Sequence, residues 1–190
     1  MKSRIIYIIR HPQTVYNLRG IFQGLSDSPI TEEGFAQLST LHKKFDSLKL
    51  EKIYSSPLKR CVTVAESFMH SHNVQVKYDD RLKEICYGSW DEKSKQDVGY
   101  AQIKREKDKN RFSYIHPGQY NGTDGESYKQ LYERLCPFWE ELGERNENTV
   151  LVIGHTGVMI AARKHFENIS EKEISEYRPS NMEVLKYEVV

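Results

Sequence analysis

The apolar positions of this chain change rhythm several times, and each change marks an element. Residues Arg4–Arg10 are β-branched, aromatic and apolar without strict alternation, the pattern of a strand buried on both faces of a parallel sheet. After a polar loop, Thr31 is placed to cap a helix with Glu32 and Glu33 in its first turn. Phe35, Leu38, Leu41, Phe45 and Leu48 then recur at spacings of three and four. A short strand is expected over Lys52–Ser55. Ser56 follows as a cap and Pro57 as the first residue of a helix running to about His70, a position where the missing N–H costs nothing. Residues 74–78 alternate like a strand. Tyr128, Leu131, Leu135, Phe138, Trp139 and Leu142 form the stripe of a further helix, which Gly143 can end. Thr149–Gly154 is an apolar strand leading straight into His155-Thr156-Gly157 and a helix, and residues 182–190 alternate well enough for a last strand on a sheet edge.

Strands alternating with helices make an α/β fold. Repeats, low-complexity tracts and Pro/Gly/Ser-rich linkers are absent from the sequence, so residues 1–190 are expected to form one domain. Lys and Arg number 28 against 27 Asp and Glu, with both signs interspersed, which excludes a general nucleic-acid binder needing a concentrated basic surface. The five apolar residues Ile5 to Ile9 are interrupted by Arg10, too short for a secretory core, and no later stretch could span a bilayer. Cys61, Cys86 and Cys136 are widely spaced, which fits a reducing compartment, and a cytoplasmic location is expected.

Ligands of open α/β sheets bind beyond the carboxyl ends of strands, which directs attention to the strand-to-loop junctions. The first strand ends in Arg10-His11, the second leads through Ser56-Pro57 to Arg60, and the late strand ends in Gly154-His155. A phosphoryl group in transfer needs cations and donors around its oxygens, an in-line nucleophile, and an acid for the leaving oxygen. Arginine suits the oxygens because its planar fork donates bidentately and stays charged, and neutral imidazole is a competent nucleophile near pH 7.

The run Arg10-His11-Pro12-Gln13-Thr14, with Asn17, Gln23-Gly24, Asp27, Pro29 and Thr31-x-x-Gly34, resembles the signature of the histidine phosphatase superfamily, which includes phosphoglycerate mutases. Further matches follow in order: Ser55-Ser56-Pro57-Leu58-x-Arg60, with Thr63 and Ala65; Leu82-x-Glu84-x-x-x-Gly88-x-Trp90; Gly125-Glu126-Ser127; Val152-Ile153-Gly154-His155-Thr156-Gly157; and, more weakly, Pro179-Ser180-Asn181. The resemblance implies a three-layer α/β/α fold with a central, mostly parallel sheet, as in phosphoglycerate mutases. It implies that His11 becomes a phosphohistidine, that Arg10, Arg60 and His155 hold the phosphoryl oxygens, and that Glu84 is the proton donor. Asn17 and Gln23 match positions lining the family's phosphate pocket, with the backbone N–H of Thr156 as a further donor. No metal and no cofactor are called for. Two departures stand out: Pro12 replaces the family's usual glycine and removes a backbone donor, and Asp91-Glu92-Lys93 stands where phosphatase-type relatives often show Trp-Glu-Gly, which bears on the loop more than on the chemistry.

Against these readings stand plainer ones. Arg60 could be a helix-surface cation, His155 a satisfied core histidine, and Glu84 a solvated loop carboxylate beside Arg81 and Lys83. His70-x-His72 has no third ligand nearby and reads as exposed surface, and His42, His116 and His165 are likewise given no catalytic role. Residues 93–125 read as a lid-like insertion, the region that covers the active-site mouth in the family. Its stretch 104–111 carries five basic and two acidic residues and is read as a solvated helix face. The expected function is a phosphomonoesterase acting on a small phosphorylated metabolite. The alternatives are a mutase-type isomerase, disfavoured by Ile85 and by the chain length, and a weakly catalytic phosphate-ligand-binding protein, motivated by Pro12. No nucleic-acid or membrane partner is expected, and a homodimer stays open.

Overall fold

In the computed structural model, which describes residues 3–189, the run Arg4–Arg10 is strand β1 at the heart of the sheet. It is followed by the short helix α1 (Val15–Arg19), α2 (Glu32–Phe45), β2 (Lys52–Ser55), α3 (Lys59–His72) and β3 (Val76–Tyr78). After two one-turn 3-10 segments, Asp80–Leu82 and Gly88–Trp90, come α4 (Tyr100–Lys109) and the small hairpin β4 (Gln119–Tyr120) and β5 (Thr123–Asp124). The chain closes with α5 (Tyr128–Glu144), β6 (Thr149–Gly154), α6 (Thr156–Glu167), α7 (Glu171–Glu176) and β7 (Val184–Val189).

The main sheet has the order β3-β2-β6-β1-β7, parallel throughout except for β7, which runs antiparallel to β1 at the edge. Strand side chains alternate between two separate cores. Ile6, Ile8, Tyr54, Val150 and Val152 pack on one side against Leu131, Leu135 and Phe138 of α5 and against α6. Ile9, Ile53, Leu151 and Ile153 pack on the other side against Leu38 and Phe45 of α2 and Val64 and Phe68 of α3. The architecture is therefore the expected α/β/α sandwich, and burial on both faces explains why these strands are apolar at consecutive positions. Each fully buried Leu or Phe contributes about 1.5–3 kcal/mol.

Several boundaries differ from the sequence reading. α3 begins at Lys59 after Leu58, so Pro57 precedes the helix. The capping is done from outside, by the Asp27 carboxylate accepting from the N–H groups of Lys59 (2.9 Å) and Arg60 (3.4 Å). α5 starts with a capping box between Ser127 and Gln130 and continues past Gly143, which sits inside its last turn. Thr31 caps α2 as expected, yet Phe35 is exposed, Leu48 lies beyond the helix end, and the buried stripe is Gly34, Leu38, Leu41 and Phe45. Of the last strand, Val190 lies outside the described residues, as do Met1 and Lys2.

The cationic stretch 104–111 is only partly solvated. Lys107 is buried with its ammonium over the rings of Tyr100 and Tyr114, and buried Arg111 donates to the carbonyls of Ile174 (2.9 Å) and Tyr177 (2.7 Å). Aromatic faces and main-chain carbonyls replace water there. Among the described residues no helix is long and apolar enough to cross a membrane.

Candidate active site

Register brings the site together. β1 and β6 pair so that Arg10 lies beside Gly154, and the His11 N–H donates to the Gly154 carbonyl (3.0 Å). His11 and His155 therefore leave the sheet side by side, with ring centroids 5.3 Å apart. β2 lies on the other side of β6, and the turn after it delivers Arg60 from the first turn of α3 to the same place. Glu84 arrives on the loop after the 3-10 turn Asp80–Leu82.

The His11 Nδ1 lies 2.8 Å from the Pro12 carbonyl, which can only accept, so Nδ1 carries the proton and Nε2 keeps its lone pair. Burial holds the His11 pKa well below its usual 6.5, assisted by the charges of Arg60 and Arg10, so the ring stays neutral far into the acid range. Pro12 offers the site its carbonyl and has no N–H to add.

Glu84 is 4% exposed, and its Oε1 accepts from the backbone N–H groups of Ile85 (2.9 Å) and Gly157 (3.0 Å). Burial raises its pKa above the usual 4.5; the two N–H groups and the charges of Arg60 and Arg10 oppose that rise without cancelling it. Gly157 has a steric reason to be glycine: a Cβ there would stand 2.5 Å from Glu84 Oε1 and 2.7 Å from Leu131 Cδ1.

Arg10, His11, Asn17, Gln23, Glu84 and Thr156 all line one cavity of about 340 Å³, a size suited to a small ligand. Arg10 donates through Nη1 to the Pro179 carbonyl (2.7 Å). Its Nε, like Gln23 Nε2, is buried and has no hydrogen-bond acceptor among the described residues. Gln23 Oε1 is taken by the Thr14 hydroxyl (2.6 Å), which orients the amide nitrogen as the free end. Asn17 Oδ1 likewise accepts from Thr14 N–H and Asn181 Nδ2. Buried donors without acceptors are costly, and a ligand anion is the group that would satisfy them.

Arg60 and His155 are placed differently: both are essentially fully buried, His155 against the His11 ring, and neither lines that cavity. Arg60 donates Nε to His155 Nδ1 (3.3 Å), Nη1 to the Ser26 carbonyl (2.6 Å) and Asp27 Oδ1 (2.8 Å), and Nη2 to the Gly24 carbonyl (2.7 Å). Of the five guanidinium hydrogens, one on Nη2 is left without an acceptor among the described residues. Because arginine only donates, His155 Nδ1 must accept, and Nε2 then carries the proton that it gives to the Ser56 hydroxyl (2.8 Å). Burial, with Arg60 next, keeps His155 neutral as well.

Phe22, Tyr87, Lys95 and Asn181 also face the cavity. Asn181 had a weak sequence signal and donates to the His11 carbonyl (3.0 Å); the other three had none, since only tertiary folding brings residues 22, 87 and 95 together. Asp91, treated in the sequence as a loop departure, binds the loop that holds Arg60. Among the described residues no group of three His, Cys, Asp or Glu side chains could hold a metal ion.

A family model described as the histidine phosphatase superfamily, branch 1, matches residues 6–189. Phosphoserine phosphatase 1 of Hydrogenobacter thermophilus is 34% identical over 82% of this chain and 72% of its own length. The adenosylcobalamin/alpha-ribazole phosphatase of Escherichia coli K12 is 24% identical over 81% of this chain and 74% of its own. In fold, a mycobacterial glucosyl-3-phosphoglycerate phosphatase superposes with a TM-score of 0.83 at 20% identity, covering 97% of this chain and 90% of that one.

Proposed function

Because this chain belongs to branch 1 of the histidine phosphatase superfamily, we propose that it is a metal-independent phosphomonoesterase that hydrolyses a small phosphorylated metabolite through a phosphohistidine at His11. The observation that carries the reading is the pair of unsatisfied buried donors, Arg10 Nε and Gln23 Nε2, in the same cavity as His11 and Glu84. In this reading His11 Nε2 attacks phosphorus, the N–P bond forms as the P–O bond breaks, and protonated Glu84 gives its proton to the leaving alkoxide. Glu84, now a carboxylate, takes a proton from water. The hydroxide equivalent cleaves the N–P bond, releases inorganic phosphate and restores both groups.

Arg10, Gln23, Asn17 and the Thr156 N–H at the start of α6 hold the phosphoryl oxygens from the cavity side. Arg60, through its uncommitted Nη2 hydrogen, holds them from the inner side, where His155, fixed between Arg60 and Ser56, stands behind His11. The segment 93–125 acts as the lid, with Lys95 at the cavity attracting anionic substrate. A small metabolite rather than a nucleic acid fits the net charge of +1, and the three free cysteines fit the cytoplasm.

The test is a screen of phosphomonoesters, among them phosphoserine, α-ribazole phosphate and 3-phosphoglycerate, with detection of released phosphate. The wild type should release phosphate from at least one, and His11→Ala from none. Release by neither protein, or by both equally, would refute the proposal; isomerised 3-phosphoglycerate without phosphate release would mark a mutase instead.

A further inference from the structure

Asp91 is 4% exposed, and among the described residues no lysine, arginine or histidine forms an ion pair with it. A carboxylate so buried must be compensated by hydrogen bonds. Among the described residues every one of those it makes comes from a single loop: Gly24 N–H at 3.0 Å, Leu25 N–H at 3.1 Å, Ser26 N–H at 3.4 Å, and the Ser26 hydroxyl. The same loop presents its carbonyls in another direction. Gly24 and Ser26 carbonyls accept from Arg60 Nη2 and Nη1.

One peptide group links the two ions. The Gly24 carbonyl and the Leu25 N–H belong to the same planar amide; the N–H points to Asp91 and the oxygen to Arg60, so the anion and the cation polarise one dipole from its two ends. The approach requires a glycine, because a Cβ at Gly24 would lie 2.4 Å from the Ile85 carbonyl and 2.5 Å from Asp91 Oδ2. Arg60 in turn fixes His155 through its Nε.

We propose that Asp91 is a positioning residue for the phosphoryl-transfer site, which sets Arg60, and through it His155, by clamping the loop 24–26. The proposal rests on the proposed phosphohydrolase reading for its effect on catalysis and on the hydrogen-bond geometry alone for its effect on His155. Asp91→Asn is the direct probe: it removes the charge and sets an amide donor against one of the loop's N–H groups. It should lower kcat/KM about 10- to 100-fold, chiefly in kcat, the penalty for a misplaced catalytic group.

A merely structural role would lower activity too, so two other readouts decide. In an Arg60→Ala background, Asp91→Asn should change kcat/KM by no more than about twofold, because groups acting as one unit are non-additive; multiplied losses would overturn the proposal. In protein with 15N-labelled histidine, the ring-nitrogen signals of His155 should move in Asp91→Asn and in Arg60→Ala, and signals unchanged in Asp91→Asn would also overturn it. This spectrum needs no turnover: a wild type that hydrolyses nothing sinks the phosphohydrolase reading, while the His155 signals still decide the positioning. If Asp91→Asn does not fold, Ser26→Ala removes one hydroxyl contact and leaves the Ser26 carbonyl on Arg60. It should move the same signals in the same direction by less, and unmoved signals there would count against the clamp.

Discussion

At the scale of single residues, the proposed mechanism needs an imidazole that stays unprotonated and a carboxyl that stays protonated, and one agent, burial, shifts both that way. It lowers His11 and raises Glu84. With protonated Glu84 as the acid, activity is expected to fall as pH rises through its elevated pKa. Glu84→Gln should remove that limb of the profile and lower kcat on alkyl phosphates by about 10²- to 10⁴-fold. A steady-state pH series on both proteins checks it, and an unchanged alkaline limb in the variant would assign the acid elsewhere. The residues at strand ends were readable because each motif is local: Arg10-His11 and Gly154-His155 are short words after apolar runs. Asp91 was not, because its partners stand 65 to 67 positions away and no periodicity reports such a contact.

At the scale of elements, the five strands of the main sheet and the helices α2, α3, α5 and α6 follow from the apolar pattern, while the start of α3 was misplaced because its capping comes from a distant group. Pro57 falls before α3 because Asp27, not Ser56, serves the helix N–H groups. Gly143 was read as a stop signal but lies within α5, where an added Cβ would meet nothing within 4 Å. Gly143→Ala should therefore raise stability by about 0.5–1 kcal/mol through better helix propensity. Gly157→Ala should do the reverse, since its Cβ meets Glu84 and Leu131; a loss of about 1–3 kcal/mol is expected, together with reduced turnover. Urea denaturation of the two variants tests the contrast, which fails if both shift in the same direction.

At the scale of the whole molecule, the cost of burying imidazoles becomes a pH dependence of stability. His11, His42, His116, His155 and His165 all have pKa values below 6.5 in the folded state, His116 at about 3, with burial the largest cause in each. The unfolded chain therefore binds more protons than the native one below about pH 6.5, so this stability is complete above that value and lost progressively as pH falls. Glu84, with its raised pKa, works in the opposite sense between 4.5 and its folded value but is one group against five. The melting temperature should fall between pH 7.5 and pH 5, and an equal or higher value at pH 5 would contradict the burial of neutral imidazoles. The cationic stretch 104–111 was misread in part: Lys104, Arg105 and Lys109 are the wetted helix face the pattern suggested, while Lys107 and Arg111 are covered by aromatic rings and by the carbonyls near α7.

The covalent step is tested most directly in Glu84→Gln treated with p-nitrophenyl phosphate, whose leaving group departs without an acid while the slowed water step lets an intermediate accumulate. After an alkaline quench, tandem mass spectrometry should find a base-stable, acid-labile phosphoryl group on His11 in an amount matching the burst of nitrophenolate. A burst with no phosphoryl group on His11, or with one on another side chain, would contradict the account.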